Sequence, residues 1–357
     1  MRIELGKDFN MLKQKVREIG SQDLATEAIC ADIEEGKFDV NEYSIKDMAE
    51  ALDTSHFPKA VGALIHKSLI GAYNTFSGVG KSMVTTVPSN KQTETVVGFD
   101  EVDTPDVVAE GMPYGETGFG EKYVTARNYK YGRLISITEE TIKFDQTGQI
   151  IQRAKKIGEK AAYKQEQLIV EGVIDKNSTV YNPVNVATAL YSTTHLNQTS
   201  TAFGEAGLEA IELLMDEMTD DNGDYVMVNR NNLKLLVPSE LKLEAHQLMN
   251  STLTPESAEN AVNYFKGAYP VVTSPFLTSA TNYWVGDFSS DFWWLEVYPL
   301  QLLSRDMTNT DQGFQRDIIA QFKTRFFGAI MAVDYRHSFK GGCFFCGLLY
   351  QFLKTHD

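Results

Sequence analysis

Two β-rich stretches, "TETVVGFDEV" (93–102) and "EKYVTARNYKYGRLISI" (121–137), flank the glycine-dense segment "EGMPYGETGFG" (110–120). Two strands around such a segment form a hairpin, and the glycines with Pro113 mark its turn. The alternation constrains the fold more than the strands themselves. Tyr123, Thr125, Arg127, Tyr129, Tyr131 and Arg133 fall on one face and Val124, Ala126, Asn128 and Lys130 on the other. Neither face is apolar, and an isolated two-stranded ribbon without an apolar side is marginal in water. Its edges invite pairing, so the expected partner is another subunit.

The segment "QIIQRAKKIGEKAAYKQEQLIVEGVI" (149–174) carries Ile150, Ala154, Ile157, Ala161, Leu168 and Ile169 as an apolar stripe, which predicts one long amphipathic helix. Just before it, Thr138 followed by Glu139 and Glu140 has the chemistry of a helix N-cap with first-turn acids. Upstream, "FPKAVGALIHKSLIGAYNTF" places Val61, Leu64, Ile65, Leu69 and Ala72 on one helical face with Pro58 at its start. Shorter helices are expected in "DFNMLKQKVREI" and, behind a Ser44…Asp47 cap, in "SIKDMAEAL". From "GEAGLEAIELLMDEMT" onward the chain alternates helix and strand, with strand-like "YVMVNRNNLKLLVP", "AYPVVTSP", "NYWVGDF" and "DFWWLEVYPLQLLS". The closing "FQRDIIAQFKTRFFGAIMAVDYRHSFKGG" has β character, and the class predicted is α+β.

Several sequence features suggest chemistry. "SGVGKS" (77–82) ends like a phosphate-binding loop, yet Thr75 stands where G-x-x-x-x-G-K-[ST] needs its first glycine. A helix precedes it where a strand is required, and "MVTTVPSN" after it is a poor helix start. It reads as a connector with Lys81 as a solvated or interface charge, and a nucleotide hydrolase stays only as an alternative. "DDNGD" (220–224) lacks the Glu of a calcium loop, since Asn231 occupies its twelfth position, and reads as a turn. The histidines stand singly, with no paired nucleophile and base signature. His195 in "YSTTHLN" is the best candidate for a polar role, holding a loop through a backbone hydrogen bond. Trp284, Trp293 and Trp294 are expected to fill a core or an interface. Cys343 and Cys346 form half a zinc motif around two phenylalanines and read as small buried hydrophobes. No metal, cofactor or catalytic residue is predicted.

A chain of 357 residues with net charge −15 is disfavoured for tight nucleic-acid binding, which relies on Lys and Arg releasing counterions from phosphates. The N-terminus shows no cleavable signal, and "CFFCGLLYQFL" (343–353) is too short to cross a bilayer, so a soluble protein made in a cytoplasm, with no membrane partner, is expected. Extended arms without catalytic signatures favour a structural subunit.

In this order the motifs resemble a known family. "EGMPYGETGFGEKYVTARNYKYGRLISITEETIKFD", with an E-G-x-x-Y tip running into a Y-G-R-L-I-S-I-T strand and the long helix, is followed by "ALYSTTHLN", "LLVPSELKLEAHQLM" and "TRFFGAIMAVDYR". Over residues 57–340 this order is similar to the major capsid proteins of tailed bacteriophages, of the Hong Kong 97-like fold, and looks closest to the Mu-type head subunits.

The resemblance implies an N-terminal arm and first helices (1–88), an extended hairpin loop (89–138), a peripheral domain with a spine helix (139–202), an axial domain (203–302), and return strands with a C-terminal segment (303–357). Residues 92–138 would overlap a neighbouring subunit through Glu110, Gly111, Tyr114, Gly118, Phe119, Lys122, Tyr129 and Arg133. It also implies a non-enzymatic homo-oligomer of pentamers and hexamers, found in the virion and assembled in a bacterial cytoplasm, that encloses double-stranded DNA. Portal and scaffold proteins, and a decoration protein, are the implied partners. A separate scaffold is expected because only residues 1–56 precede the first long helix. Lys–Asn crosslinking is not carried over, because no Asn or Glu partner for Lys122 is marked. An encapsulin-like cellular shell is the alternative on the same fold.

Overall fold

The computed structural model describes residues 22–35, 57–76, 78–99, 105, 107–114, 121–144, 149–173, 189–220, 223–253, 262–307 and 310–342. In chain order come α1 (Gln22–Glu35), α2 (Phe57–Thr75), a 3-10 turn (Gly80–Ser82), β1 (Thr85–Pro88), β2 (Thr93–Phe99), β3 (Glu121–Arg127), β4 (Tyr129–Thr138), α3 (Glu139–Phe144) and α4 (Gln149–Val173). They are followed by β5 (Gln198–Thr199), α5 (Glu205–Glu217), β6 (Lys234–Val237), α6 (Lys242–Asn250), β7 (Val271–Thr273), β8 (Tyr283–Gly286), α7 (Phe288–Asp291), β9 (Phe292–Asp306), α8 (Asp311–Arg316), β10 (Ile318–Ala332) and β11 (Ser338–Gly341).

The chain divides into two compact units, each drawn from three separate stretches. The first takes 1–77, 130–165 and 298–327, and the second 78–129, 166–297 and 328–357.

In the first unit the apolar side of α2, formed by Ala60, Val61, Leu64 and Ile65, packs with Ile29 and Ile33 of α1, Ile150, Ile151 and Ala154 of α4, Ile137 of β4 and Phe322 of β10. Burial of the Val, Leu, Ile and Phe side chains among these contributes about 1.5–3 kcal/mol each. Gly158 lets α4 approach α2 closely, because a Cβ there would lie 2.3 Å from the Leu69 carbonyl oxygen. The residues of β10 alternate buried and less buried, so one face meets this core. Thr138 caps α3 by accepting from the Thr141 N–H at 3.3 Å, as the sequence predicts.

In the second unit a five-stranded sheet runs in the order β5-β11-β8-β6-β7. All of β8 is buried at its centre, antiparallel to β11 and β6. Leu208, Ile211 and Met215 of α5 and Ala245, Leu248 and Met249 of α6 pack with Leu235, Val237, Tyr283, Val285 and Phe339. Trp284 and Trp294 are buried, as core filling requires. β1 runs parallel to the start of β9, from Thr85 opposite Trp293 to Pro88 opposite Glu296.

Three sequence expectations change. The ribbon does not run unbroken to residue 138: β3 ends at Arg127, and β4 pairs with β10. The break falls at Asn128, whose buried amide turns back to donate to Ser89 Oγ (3.1 Å) and the Lys91 carbonyl (2.9 Å). The stripe of α4 holds in part: Ile150, Ala154 and Ile169 are buried, but Ile157, Ala161 and Leu168 are only half-buried while Gly158, Ala162, Gln165, Glu166, Val170, Gly172 and Val173 are buried. Two polar side chains, Gln165 and Glu166, are therefore buried along with the apolar ones. Finally, α1 was not anticipated, although Ile29 and Ile33 lie one helical turn apart. The helices expected at 8–19 and 44–52 lie outside the described residues.

Candidate assembly surface and the glycine loop

β2 and β3 pair antiparallel from Thr93 opposite Arg127 to Phe99 opposite Glu121, which sets the ribbon's register. Among the described residues these two strands pair only with each other. Lys122 stands opposite Gly98. In the connecting segment Glu110 and Gly111 form a turn, closed by the Met112 N–H donating to the Ala109 carbonyl at 3.0 Å. Gly111 has φ +82°, which glycine adopts without strain. The segment exposes apolar side chains: Tyr114 is 84% and Met112 63% accessible. Gly118 and Phe119 lie outside the described residues.

Tyr129 and Arg133 belong to β4, both exposed. The Arg127 guanidinium sits over the Tyr129 ring at 5.7 Å, and the Arg133 carbonyl accepts from Thr324 Oγ1 at 3.2 Å. The predicted contact residues thus divide between a tip turn, a ribbon strand and a sheet strand.

The glycine loop does hold an acceptor, and that acceptor is a carboxyl group of the chain itself. Gly80 N–H donates to both carboxylate oxygens of Glu166 (2.8 and 2.7 Å), and Val79 N–H to one of them (2.9 Å). Burial pushes the Glu166 carboxyl above the usual glutamate range, and these two N–H groups pull it part of the way back. Lys234 Nζ donates to the Ser82 carbonyl, tying the turn to β6. The reading of "SGVGKS" as a connector agrees with this arrangement, and α4 supplies the acceptor that a phosphate would otherwise be.

The other candidates are structural. His195 Nδ1 lies 3.1 Å from the Leu190 carbonyl and its ring stacks on Tyr335 at 4.1 Å, the loop-holding role expected of it. In 220–224 the Asp224 N–H donates to Asp220 Oδ1 at 2.8 Å, and Gly223 has φ +91°, so the segment turns as expected. Asp291, missed by sequence reading, is fully buried with Oδ1 3.1 Å from His337 Nδ1 and 3.3 Å from the His337 N–H. Asp334 approaches the same ring at 3.9 Å. Hydrogen bonding to Asp291 raises the His337 pKa, with desolvation opposing it and the Asp291, Asp334 and Asp287 charges adding to it. Asp291 Oδ1 and the imidazole join the end of α7 to the chain entering β11, while Asp291 Oδ2 is buried with no hydrogen-bond partner among the described residues. Cys343 and Cys346 lie outside the described residues. Among the described residues, no helix is long and apolar enough to cross a membrane.

No curated protein matches the chain in sequence. In structure it is similar to the capsid of a native GTA particle, at 11% identity and TM-score 0.53, over 75% of this chain and 90% of that one. It is also similar to the mature capsid of bacteriophage PhiM1, at 11% identity and TM-score 0.50, over 75% and 87%. At such identities the likeness speaks for the fold, which is the Hong Kong 97-like capsid fold anticipated above. The phage capsid protein family matches residues 122–341, from β3 through β11. The chain therefore belongs to the phage capsid protein family.

Proposed function

We propose that this major capsid protein builds a tailed-phage head of the Mu type, as pentamers and hexamers closing an icosahedral shell around double-stranded DNA, and has no enzymatic activity. The ribbon carries the reading: it pairs only with itself among the described residues and ends in an accessible Met112 and Tyr114. Apolar tips of this kind mark interaction sites. The ribbon within 92–127 would lie on a neighbouring subunit, with Glu110, Gly111, Tyr114, Gly118, Phe119 and Lys122 in the contact, and Tyr129 and Arg133 of β4 would join the contact from the sheet at its base. The sequential division at 88, 138, 202 and 302 would then describe the subunit in the shell. The product is a virion component put together in a bacterial cytoplasm, with portal and scaffold proteins and a decoration protein as partners. Net charge −15 suits a wall that must not adhere to the DNA it encloses.

Deleting residues 111–120 tests this reading. Soluble, folded subunits that fail to close shells under electron microscopy are expected, and normal shells from the deletion would overturn it.

A further inference from the structure

Asp291, Asp334 and His337 meet where the end of α7 faces the connection between β10 and β11, each offering a donor atom within 4.8 Å of the others. Backbone bonds hold the two segments together: the Val333 N–H donates to the Asp291 carbonyl at 2.8 Å, and the Asp287 N–H to the His337 carbonyl at 2.9 Å. From His337 Nδ1, Asp291 Oδ1 lies 3.1 Å away and Asp334 Oδ2 3.9 Å. The other Asp334 oxygen is engaged elsewhere, accepting from the Tyr335 N–H at 2.7 Å and facing Arg336 Nε at 3.7 Å. Asp291 is fully buried, and its Oδ2 has no hydrogen-bond partner among the described residues. A buried carboxylate oxygen is costly unless a donor or a cation meets it. Burial pushes the Asp291 carboxyl above the usual aspartate range; the His337 hydrogen bond opposes that shift and the Asp334 charge adds to it.

We infer that Asp291, Asp334 and His337 form a binding site for one divalent cation of the zinc class. An imidazole nitrogen with two carboxylate oxygens suits Zn²⁺ better than Mg²⁺ or Ca²⁺, which take oxygen donors. Donors held about 2.0–2.2 Å from a tetrahedral zinc stand about 3.3–3.5 Å apart, and the two separations from Nδ1 bracket that value. Two carboxylates balance the charge of the ion. Ligation takes a neutral imidazole, so the ion replaces the proton between Nδ1 and Asp291 Oδ1 in the metal-free chain. Asp287 is not a ligand, because its oxygens accept from Asn232, Ser289 and Ser290. The side chains of Asp334 and His337 are partly accessible, which gives the ion a way in and leaves a position for water. Bound there, it ties the end of α7 to the chain entering β11 and stabilises the second unit. The inference does not depend on the ribbon reading.

Full-length subunits stripped of metal by a chelator and titrated with Zn²⁺ alone test it. Calorimetry should find one tightly bound ion per chain, and Asp334→Asn, which keeps the Asp291–His337 pair, should weaken that binding by at least about tenfold. At about a hundredfold excess over the dissociation constant, Zn²⁺ should raise the melting temperature of the wild type by a few degrees and leave that of Asp334→Asn where it was. If Asp334→Asn fails to fold, Asp334→Ser takes its place, and Co²⁺ added to the wild type gives a readout that needs no variant. Its visible bands should be those of nitrogen and oxygen ligands, with no sulfur-to-cobalt charge-transfer band. Equal Zn²⁺ affinity in the wild type and the Asp334 variant would overturn the site, as would the absence of binding. A sulfur band would place the ion on cysteine, and tighter binding of Mg²⁺ than of Zn²⁺ would contradict the donor set; either overturns the proposal. The 111–120 deletion bears on the ribbon alone, so the two readings fail separately.

Discussion

The Gly80 N–H lies 2.8 Å from Oε1 and 2.7 Å from Oε2 of Glu166, so a buried carboxylate on α4 closes the turn that leads into β1. Glu166→Ala leaves the N–H groups of Val79 and Gly80 without this acceptor and should cost about 1–3 kcal/mol. The pH dependence follows from the raised pKa. The folded chain holds this proton to higher pH than the unfolded chain does, so its contribution is complete below about 4.5 and is lost as pH rises through the native pKa. Urea midpoints of dissociated subunits, followed with pH, should show that decline in the wild type and a flatter profile in Glu166→Gln; identical profiles would contradict the assignment.

His337 and Asp291 give a second window at higher pH. The imidazole's pKa is raised by Asp291, so the stability from this pair is full below about 6.5 and is lost as pH rises through the native His337 value. His337→Asn should remove the loss between neutral and alkaline pH. Asp291→Ala should destabilise by about 2–4 kcal/mol, because the pair is largely withdrawn from water. Proton-detected titration of the imidazole in the subunit checks the direction of the shift.

Close approach of α4 to α2 depends on Gly158. Gly158→Ala places a methyl group 2.3 Å from the Leu69 carbonyl oxygen, inside contact distance of rigid backbone. Overpacking of this kind costs about 1–3 kcal/mol. Thermal melting should register the loss, whereas Gly71→Ala, where a Cβ meets nothing within 4 Å, should leave stability the same or higher.

Asn128 joins the base of the ribbon to the strand before it: its N–H donates to the Gln92 carbonyl at 2.8 Å and its side-chain amide to Ser89 and Lys91. Asn128→Ala should speed amide exchange across β2 and β3 while leaving β8 protected. Unchanged exchange in 93–99 and 121–127 would show that the ribbon is anchored elsewhere.

What the sequence makes legible follows from periodicity. α2, α4 and β10 announce themselves because apolar residues recur at 3.6 or 2 residues. The ribbon is legible from its lack of an apolar face, yet its end at Arg127 is not, because the partner that claims β4 is β10, nearly two hundred residues later in the chain. Glu166 shows the same limit: nothing in the local pattern marks it, and only the fold brings the N–H groups of Val79 and Gly80 to it. Asp291 and His337 stand 46 positions apart, with no local pattern to link them.

The interleaving of the two units has a consequence for biosynthesis. The first unit cannot be completed until the stretch ending at residue 327 has left the ribosome, and the second needs the stretch that begins at 328. Emerging chains fold domain by domain only when a domain is contiguous. A ribosome that stalls within the first three hundred codons therefore releases a chain unable to complete either unit. Such a product has no finished surface with which to join a growing lattice, so the winding of the polypeptide screens out its own truncated copies.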